Sequence, residues 1–562
     1  MKKSILTILI ACILCGGCNE FLDTLPDNRT EIDSMDKIWR LLANAYPKRT
    51  YAAMIEARCD GMTSFGSTFQ GSQQAEMFDF MRGGFYWMPH TPSETDDSHE
   101  RFWEASYEAI SYCNFALKAL EEHQNELNPT QAKLARAEAR ICRAYNHFML
   151  LTLFSNMFAK NAGSSSGVPY VVEPEEETFK KYDRETVAVT LEKIKKDLFE
   201  EIDNIGPAAT YDKPKFRFTR DAAYAFAVRF CLFTEDYRGA VNYANKLFPM
   251  AATFTAPAGE NFDGSPKIYV DSTDLAYQYA GNTLFDMGEF RAKGTDLYQP
   301  GLMFSDPQNA SYLLMIEVET LAMRTFLGTL LTSYAYDLTT LTSIITTNAT
   351  GGSWAVTPLQ FTGDPTGFIV KYYEDMLLVN EAAGIGYVYN KVNLFRLEEV
   401  LLARAEAQAM LGNSQEAIDD LNLYTQKKIY NYSYGARRLD ADKIHNYYRA
   451  KISDDETFVN NEFNRHRFTE SGAADLLQRE LIMAIMDFRR AEFIFEGMRY
   501  LDVLRWNIPI SHTRLSDNMT RTLYPDDDNR ILQLPASTLL SGLRSNPMKK
   551  IREPWPNIIY DE

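Results

Sequence analysis

Seven histidines are scattered through this 562-residue chain, among them His90, His99, His147 and His512. None sits in an H-E-x-x-H pair, and no serine-elbow pattern occurs, so the spacings that bring a metal or nucleophile to its base are missing. Carboxylates are plentiful, with 76 Asp and Glu against 58 Lys and Arg. Glycoside hydrolysis needs only two carboxylates at a set separation, so a glycosidase stays open as the lesser alternative. Asp526-Asp527-Asp528-Asn529 suggests calcium by composition, but the spacing of an EF-hand loop is absent, and a solvated hairpin turn is the expected form. Cys59, Cys113, Cys142 and Cys231 form no C-x-x-C pair and lie beside no histidine, which argues against zinc. They read as small buried hydrophobes; Cys113 and Cys142, on two neighbouring predicted helices, permit a disulfide without requiring one. No catalytic residue, metal or cofactor is therefore assigned.

Binding asks less of a sequence than catalysis does. Sugars present flat apolar faces rimmed by hydroxyls, which proteins hold with exposed rings and a few Asn, Asp or Arg side chains. Arg82-Gly83-Gly84-Phe85-Tyr86-Trp87 gathers three aromatics and an arginine in one stretch. The glycine pair is expected to free the backbone and turn Tyr86 and Trp87 outward, with Arg82 beside them. Packing of the same rings against the scaffold is the competing reading. Trp354, after Gly351-Gly352-Ser353, is a second candidate ring; Tyr298 and Tyr336 are weaker ones.

The surrounding elements set the context. Lys2 and Lys3 precede an apolar run from Ile5 to Leu14, then Gly16-Gly17-Cys18, the pattern of a signal peptide (1–17) ending at a lipobox whose lipidated residue is Cys18. Cys15 stands where such lipoboxes usually carry Leu. The formal charge of −18 argues against nucleic acid and anionic membrane surfaces as partners. From Glu100 onward, helical periodicity dominates: Trp103, Tyr107, Ile110 and Leu117 stripe one helix, and Pro129 opens the next. Similar paired stripes return around Arg220–Phe233 with Ala240 and Ala244, and around Leu394–Ala405, where Gly412 ends a helix and Ser414 is expected to cap another. Small residues where paired helices cross suggest degenerate tetratricopeptide-type hairpins. The expected fold is mainly α, a tetratricopeptide-like hairpin scaffold with a large irregular, loop-rich ligand-binding lobe. Its expected parts are a lipid-anchored tether (18–45), an N-terminal helical part (46–254) with an aromatic loop at 60–99, an irregular insertion (255–390), and a C-terminal helical part with a closing segment (391–562).

The C-terminal third carries a more specific pattern. Phe395-Arg396-Leu397-Glu398-Glu399-Val400-Leu401-Leu402 leads into Ala405-Glu406-Ala407. Arg490-Ala491-Glu492-Phe493-Ile494-Phe495-Glu496-Gly497-Met498-Arg499 then runs into Leu501-Asp502-Val503-Leu504-Arg505-Trp506. These segments resemble the SusD-like (RagB/SusD) family of outer-membrane nutrient-binding lipoproteins, including its R-x-E-F-x-F-E-G-x-R signature. Glu138-Ala139, Arg143-Ala144, Gly167-Val168-Pro169 and Asp197-Leu198 are similar to the family's N-terminal elements, so the resemblance spans nearly the whole chain. Phe488 departs from a usual Glu, Ser155 from a common Gly, and the end of the chain from the family's usual close.

The resemblance implies a surface-exposed, non-enzymatic lipoprotein of the outer membrane. It implies capture of an oligosaccharide, or in some relatives a peptide, and delivery to a SusC-like TonB-dependent transporter. Ligand-stacking aromatics are implied in the loop equivalent to the Trp87 segment, with the helical repeats facing the transporter. The signature's Arg and Glu residues are expected to pair inside the helical core, where a buried charge must find a partner.

Overall fold

The computed structural model describes residues 31–65, 79–89, 97–247, 312–319, 334–354 and 366–560, save gaps of one to six residues within the longer spans. The N-terminal part supplies α1 (Met35–Leu42), α2 (Ala52–Glu56), β1 (Met62–Ser64), α3 (Asp79–Phe85), α4 (His99–Glu122), α5 (Pro129–Phe154), α6 (Val187–Phe199), α7 (Arg220–Phe233) and α8 (Tyr237–Leu247). The middle supplies β2 (Tyr312–Val318), β3 (Tyr334–Tyr336), α9 (Leu338–Thr346), β4 (Tyr373–Asn380) and β5 (Ile385–Arg396). The C-terminal third adds α10 (Leu397–Met410), α11 (Ser414–Lys428), α12 (Ala441–Ile452), α13 (Ala473–Glu492), α14 (Met498–Arg505), β6 (Ile510–Arg514) and β7 (Met519–Leu523).

Local chemistry sets the helix starts. Ser98, Thr186 and Thr219 each accept a hydrogen bond from a first-turn N–H, and Asn128 accepts two ahead of Pro129. Ser414, expected as a cap, is instead the first helical residue of α11; Asn413 holds the cap position and spends its amide on Gln408 at 2.7 Å. Helix α4 packs on α5, α7 on α8, α10 on α11 and α12 on α13, and α10 also packs against α7, α8 and α13. The fold is thus mainly α, with tetratricopeptide-like hairpins bound into one scaffold.

Two small sheets draw strands from the expected irregular regions, joined by β6 and β7 of the C-terminal part. One is ordered β3-β1-β6-β7, with β1 parallel to β6; the other is ordered β2-β5-β4 and is antiparallel. The expected boundary at 390/391 therefore falls inside β5, and the stretch 255–390 is not wholly irregular. The expected tether at 18–45 also needs correction: α1 buries Ile38 and Leu42 completely and packs on α4 and α5. An amphipathic stripe cannot stay on a tether when an apolar groove is available to cover it.

The signature residues form a buried charge lattice, as the resemblance implies. Arg505 grips Glu406 with two nitrogens, one at 2.6 Å, and Asp502 at 2.9 Å; Trp506 donates its indole N–H to Glu406 at 2.9 Å. Arg489 reaches the other oxygen of Asp502 at 2.8 Å. Burial pushes the Asp502 carboxyl up, but Arg489 and Arg505 outweigh it and hold the group below its ordinary range. Arg229 forks onto Glu399 through two 2.6 Å bonds, and Arg396 bridges Glu492 and Glu496. Glu56 reaches across from α2 and accepts the N–H groups of Phe495 and Gly497, at 3.0 and 2.8 Å, and the hydroxyl of Tyr336 at 2.7 Å. Gly497 is required in that turn: its φ is +73°, and a Cβ there would lie 2.9 Å from the Ala52 backbone. Phe488 replaces the family's usual charge with a ring packed against Trp354 and Tyr424.

Candidate ligand-binding face

The Arg82–Trp87 segment closes a helix rather than forming a loop. Met88 donates to the Gly83 carbonyl at 2.8 Å and Trp87 to the Gly84 carbonyl at 3.1 Å, the double bond pattern of a Schellman C-terminus. Trp87 takes the left-handed position, φ +52°, that such a motif demands. Gly84 serves close packing, not outward presentation, since a Cβ there would come within 2.5 Å of the Ala57 Cβ. The expected stacking platform is therefore overturned in its main members. Trp87 is 0% exposed, Tyr86 7% and Trp354 2%.

Each of these rings has found a packing partner. Trp87 stacks on His512 at 4.5 Å, and Phe85 stacks on the same imidazole at 4.8 Å. Tyr86 meets Trp555 edge-on at 5.4 Å. His512 holds Nδ1 2.7 Å from the Phe85 carbonyl and Nε2 2.7 Å from that of Cys59, and burial lowers its pKa to about 4. Trp354 packs edge-on against Phe488 at 5.0 Å, so it plugs the scaffold on α13. Tyr336 is spent on Glu56. Tyr298 and Cys18 lie outside the described residues.

Arg82 differs from these rings in lying at the surface. It is exposed, and its guanidinium lies over Tyr86 at 5.8 Å. A second arginine that sequence reasoning missed joins it: Arg514, at the end of β6, lies over Trp555 at 5.2 Å. Arg514 also binds Asp517 in a fork of 3.0 and 2.6 Å and holds that carboxyl below its usual range. Two guanidinium groups thus flank one ring pair, Tyr86 and Trp555, that is almost wholly covered. Such a face offers charge-assisted donors to hydroxyl or carboxylate oxygens and little ring surface. Nothing in the local sequence of Arg514 singles it out, because its ring partner Trp555 comes from the closing segment.

The Asp526–Asn529 segment is not a solvated hairpin turn. The β6–β7 turn falls at 515–518, and Asp526 pairs with Lys550 and Arg552 of the closing segment. Asp527 is buried and accepts the N–H groups of Tyr524 and Arg552. Cys113 and Cys142 are buried free thiols, like Cys59 and Cys231. Among the described residues, no cluster of His, Cys, Asp and Glu could hold a metal ion, and no helix is long and apolar enough to cross a membrane.

Residues 20–232 match a SusD-like family described as starch-binding and associating with the outer membrane, and residues 343–530 match the SusD family. The chain belongs to the SusD-like family. Solved structures of the superfamily share its fold over nearly their whole length. A SusD superfamily protein from Bacteroides fragilis is 17% identical, with 91% of this chain and 99% of that one covered at a TM-score of 0.57. A SusD-like carbohydrate binding protein from Bacteroides vulgatus is 16% identical, with 90% and 96% covered at 0.54. A laminarin binding SusD-like protein is 15% identical, with 91% and 98% covered at 0.54. No curated protein sequence matches the chain. The SusD-like motifs quoted above fall on the charge lattice, so they report the scaffold and leave the ligand-contacting side chains unmarked.

Proposed function

We propose that this SusD-like protein is a surface-exposed lipoprotein, anchored through Cys18, that captures an oligosaccharide and delivers it to a SusC-like TonB-dependent outer-membrane transporter. The observation that carries the reading is family membership across both halves of the chain, together with a relative of the same fold whose name states laminarin binding. The protein is read as a binder rather than a glycosidase: the buried carboxylates Glu399, Asp420 and Glu406 are each committed to an arginine of the scaffold. The ligand face is proposed at the exposed Arg82 and at Arg514, with Tyr298 as a candidate contact beyond the described residues. The buried Tyr86 and Trp87 support that face from beneath, whereas Trp354 packs in the scaffold against Phe488.

The test is a glycan array that includes laminarin and starch fragments, followed by calorimetry on Arg82→Ala. Binding without turnover, weakened about tenfold in the variant, is the expected result, since a charge-assisted bond is worth roughly that factor. Binding of peptides but not glycans would transfer the protein to the peptide-importing branch of the family. Any hydrolysis abolished by one Asp or Glu substitution would overturn the binding reading. Co-purification of a TonB-dependent transporter from mildly solubilised outer membranes tests the delivery step.

A further inference from the structure

Helices α4 and α5 form an antiparallel hairpin whose register is fixed by side chains that meet across it. Trp103 meets Phe154 and Tyr107 meets His147, with ring centroids 4.9 and 6.0 Å apart. Further along, Arg143 donates to the side-chain oxygen of Asn114 at 2.9 Å. Continued along the seam, that register sets Cys113 against Cys142 and, one turn on, Ala116 against Ala139. All four side chains are buried. Alanine adds no bulk beyond Cβ, so the two backbones can close up beside the thiols. Close approach is what a bridge requires, since two cysteines can be joined only where their Cα atoms lie within about 7 Å. Burial pushes the Cys142 thiol well above the ordinary cysteine range, and the adjacent Cys113 thiol pushes it further. Cys59 lies beside Glu56 and Asp60 instead, and Cys231 beside Asp236.

Reactive dithiols keep a low-pKa thiolate at the surface next to a cation. This pair has neither feature. Arg143 is the cation near Cys113, but it is spent on Asp197 at 2.7 and 3.0 Å and on Asn114. Both thiols are sealed from solvent. The pair is therefore suited to a single closure made as the hairpin folds, and not to turnover. We infer that Cys113 and Cys142, free thiols in this structure, are joined by a disulfide in the exported protein, stapling α4 to α5. The inference rests on the export proposed above and is independent of the ligand class. Closure forms the Sγ–Sγ bond and breaks both S–H bonds. The two protons and two electrons pass, through a mixed disulfide, to a thiol–disulfide oxidase of the export compartment, whose own disulfide becomes a dithiol. Because the packed seam admits no oxidase, the exchange precedes the docking of α4 on α5.

The test is peptide mass spectrometry of the mature chain recovered from outer membranes, dissolved in denaturant with iodoacetamide and no reductant. One linked pair of peptides carrying Cys113 and Cys142 is expected, two hydrogens lighter than the two reduced peptides together. Cys59 and Cys231 should be alkylated in the same sample. Reduction before alkylation should replace the linked pair with two alkylated peptides. Alkylated Cys113 and Cys142 in the unreduced sample, or a link from either to Cys59 or Cys231, overturns the staple. If Cys18 is acylated in that sample, export stands and only the staple falls; if it is not, both fall.

Discussion

The charge lattice around Arg505 and the ring cluster around Trp87 are both sealed from solvent, yet they are held by opposite rules. In the lattice every ion has a named opposite at hydrogen-bond distance: Arg505 with Glu406 and Asp502, Arg489 with Asp502, Arg229 with Glu399. Removing one partner leaves the other as an uncompensated charge in a medium that solvates it poorly. In the cluster, Trp87, Phe85, His512 and Trp555 meet through ring contacts 4.5 to 5.6 Å apart between centroids, with His512 also held at the Phe85 and Cys59 carbonyls. Losing part of one ring there costs contact area and leaves a small void. The lattice specifies partners one by one, whereas the cluster specifies a volume.

The strongest test of that contrast is Glu406→Ala. It strips the carboxylate from Arg505 and Trp506 and should lower the unfolding free energy by about 3–5 kcal/mol in denaturant melts. A loss below about 1 kcal/mol would mean that water or Asp502 replaces the partner and that the lattice is as tolerant as the ring cluster.

His147 belongs to both regimes, being a ring stacked on Tyr170 at 4.0 Å and also a polar group with two assigned partners. Nδ1 faces the Arg143 carbonyl at 2.9 Å, and Nε2 accepts the Val171 N–H at 3.0 Å, so only the neutral ring satisfies both. Burial lowers its pKa to about 3, against an unfolded value near 6.5. Between those values the unfolded chain binds a proton that the fold does not. Stability from this group is therefore complete above pH 6.5 and is lost on acidification towards 3, at up to about 1.4 kcal/mol per pH unit. Denaturant midpoints from pH 7 to 4 should fall less steeply in His147→Gln than in the parent. Equal slopes would assign the acid sensitivity elsewhere.

Trp87→Phe should show the smallest effect, about 1–2 kcal/mol, because a smaller ring keeps most contacts with His512. Glycan affinity should be unchanged. A variant of parental stability with lost glycan binding would return Trp87 to the ligand face and dissolve the contrast.

Arginine and aromatic residues differ in how much the chain alone reveals of them. Arg396, Glu406, Glu492, Asp502 and Arg505 could be read as a paired interior because an ion inside a protein has few permitted environments. Gly83-Gly84-Phe85-Tyr86-Trp87 could not be read so surely, because a ring is content on a surface, against a sugar or in a core. The same ambiguity misassigned Trp354, whose partners Phe488 and Tyr424 come from helices far along the chain. Asp526–Asp528 look like a solvated turn until the closing segment is seen to return over them with Lys550 and Arg552.

By itself, the sequence determined the helical periodicity, most helix starts and the family, since these rest on spacings of a few residues and on local capping chemistry. It also determined that the signature is structural, since charge pairing is obligatory once burial is assumed. Only the tertiary structure decided which rings are covered, that 385–396 forms one strand across an expected boundary, and that Arg82 and Arg514 lie over the touching rings Tyr86 and Trp555. Those facts depend on parallel pairing of β1 with β6 and on the fold of the chain end over Tyr86, contacts between residues hundreds of positions apart that no local pattern encodes.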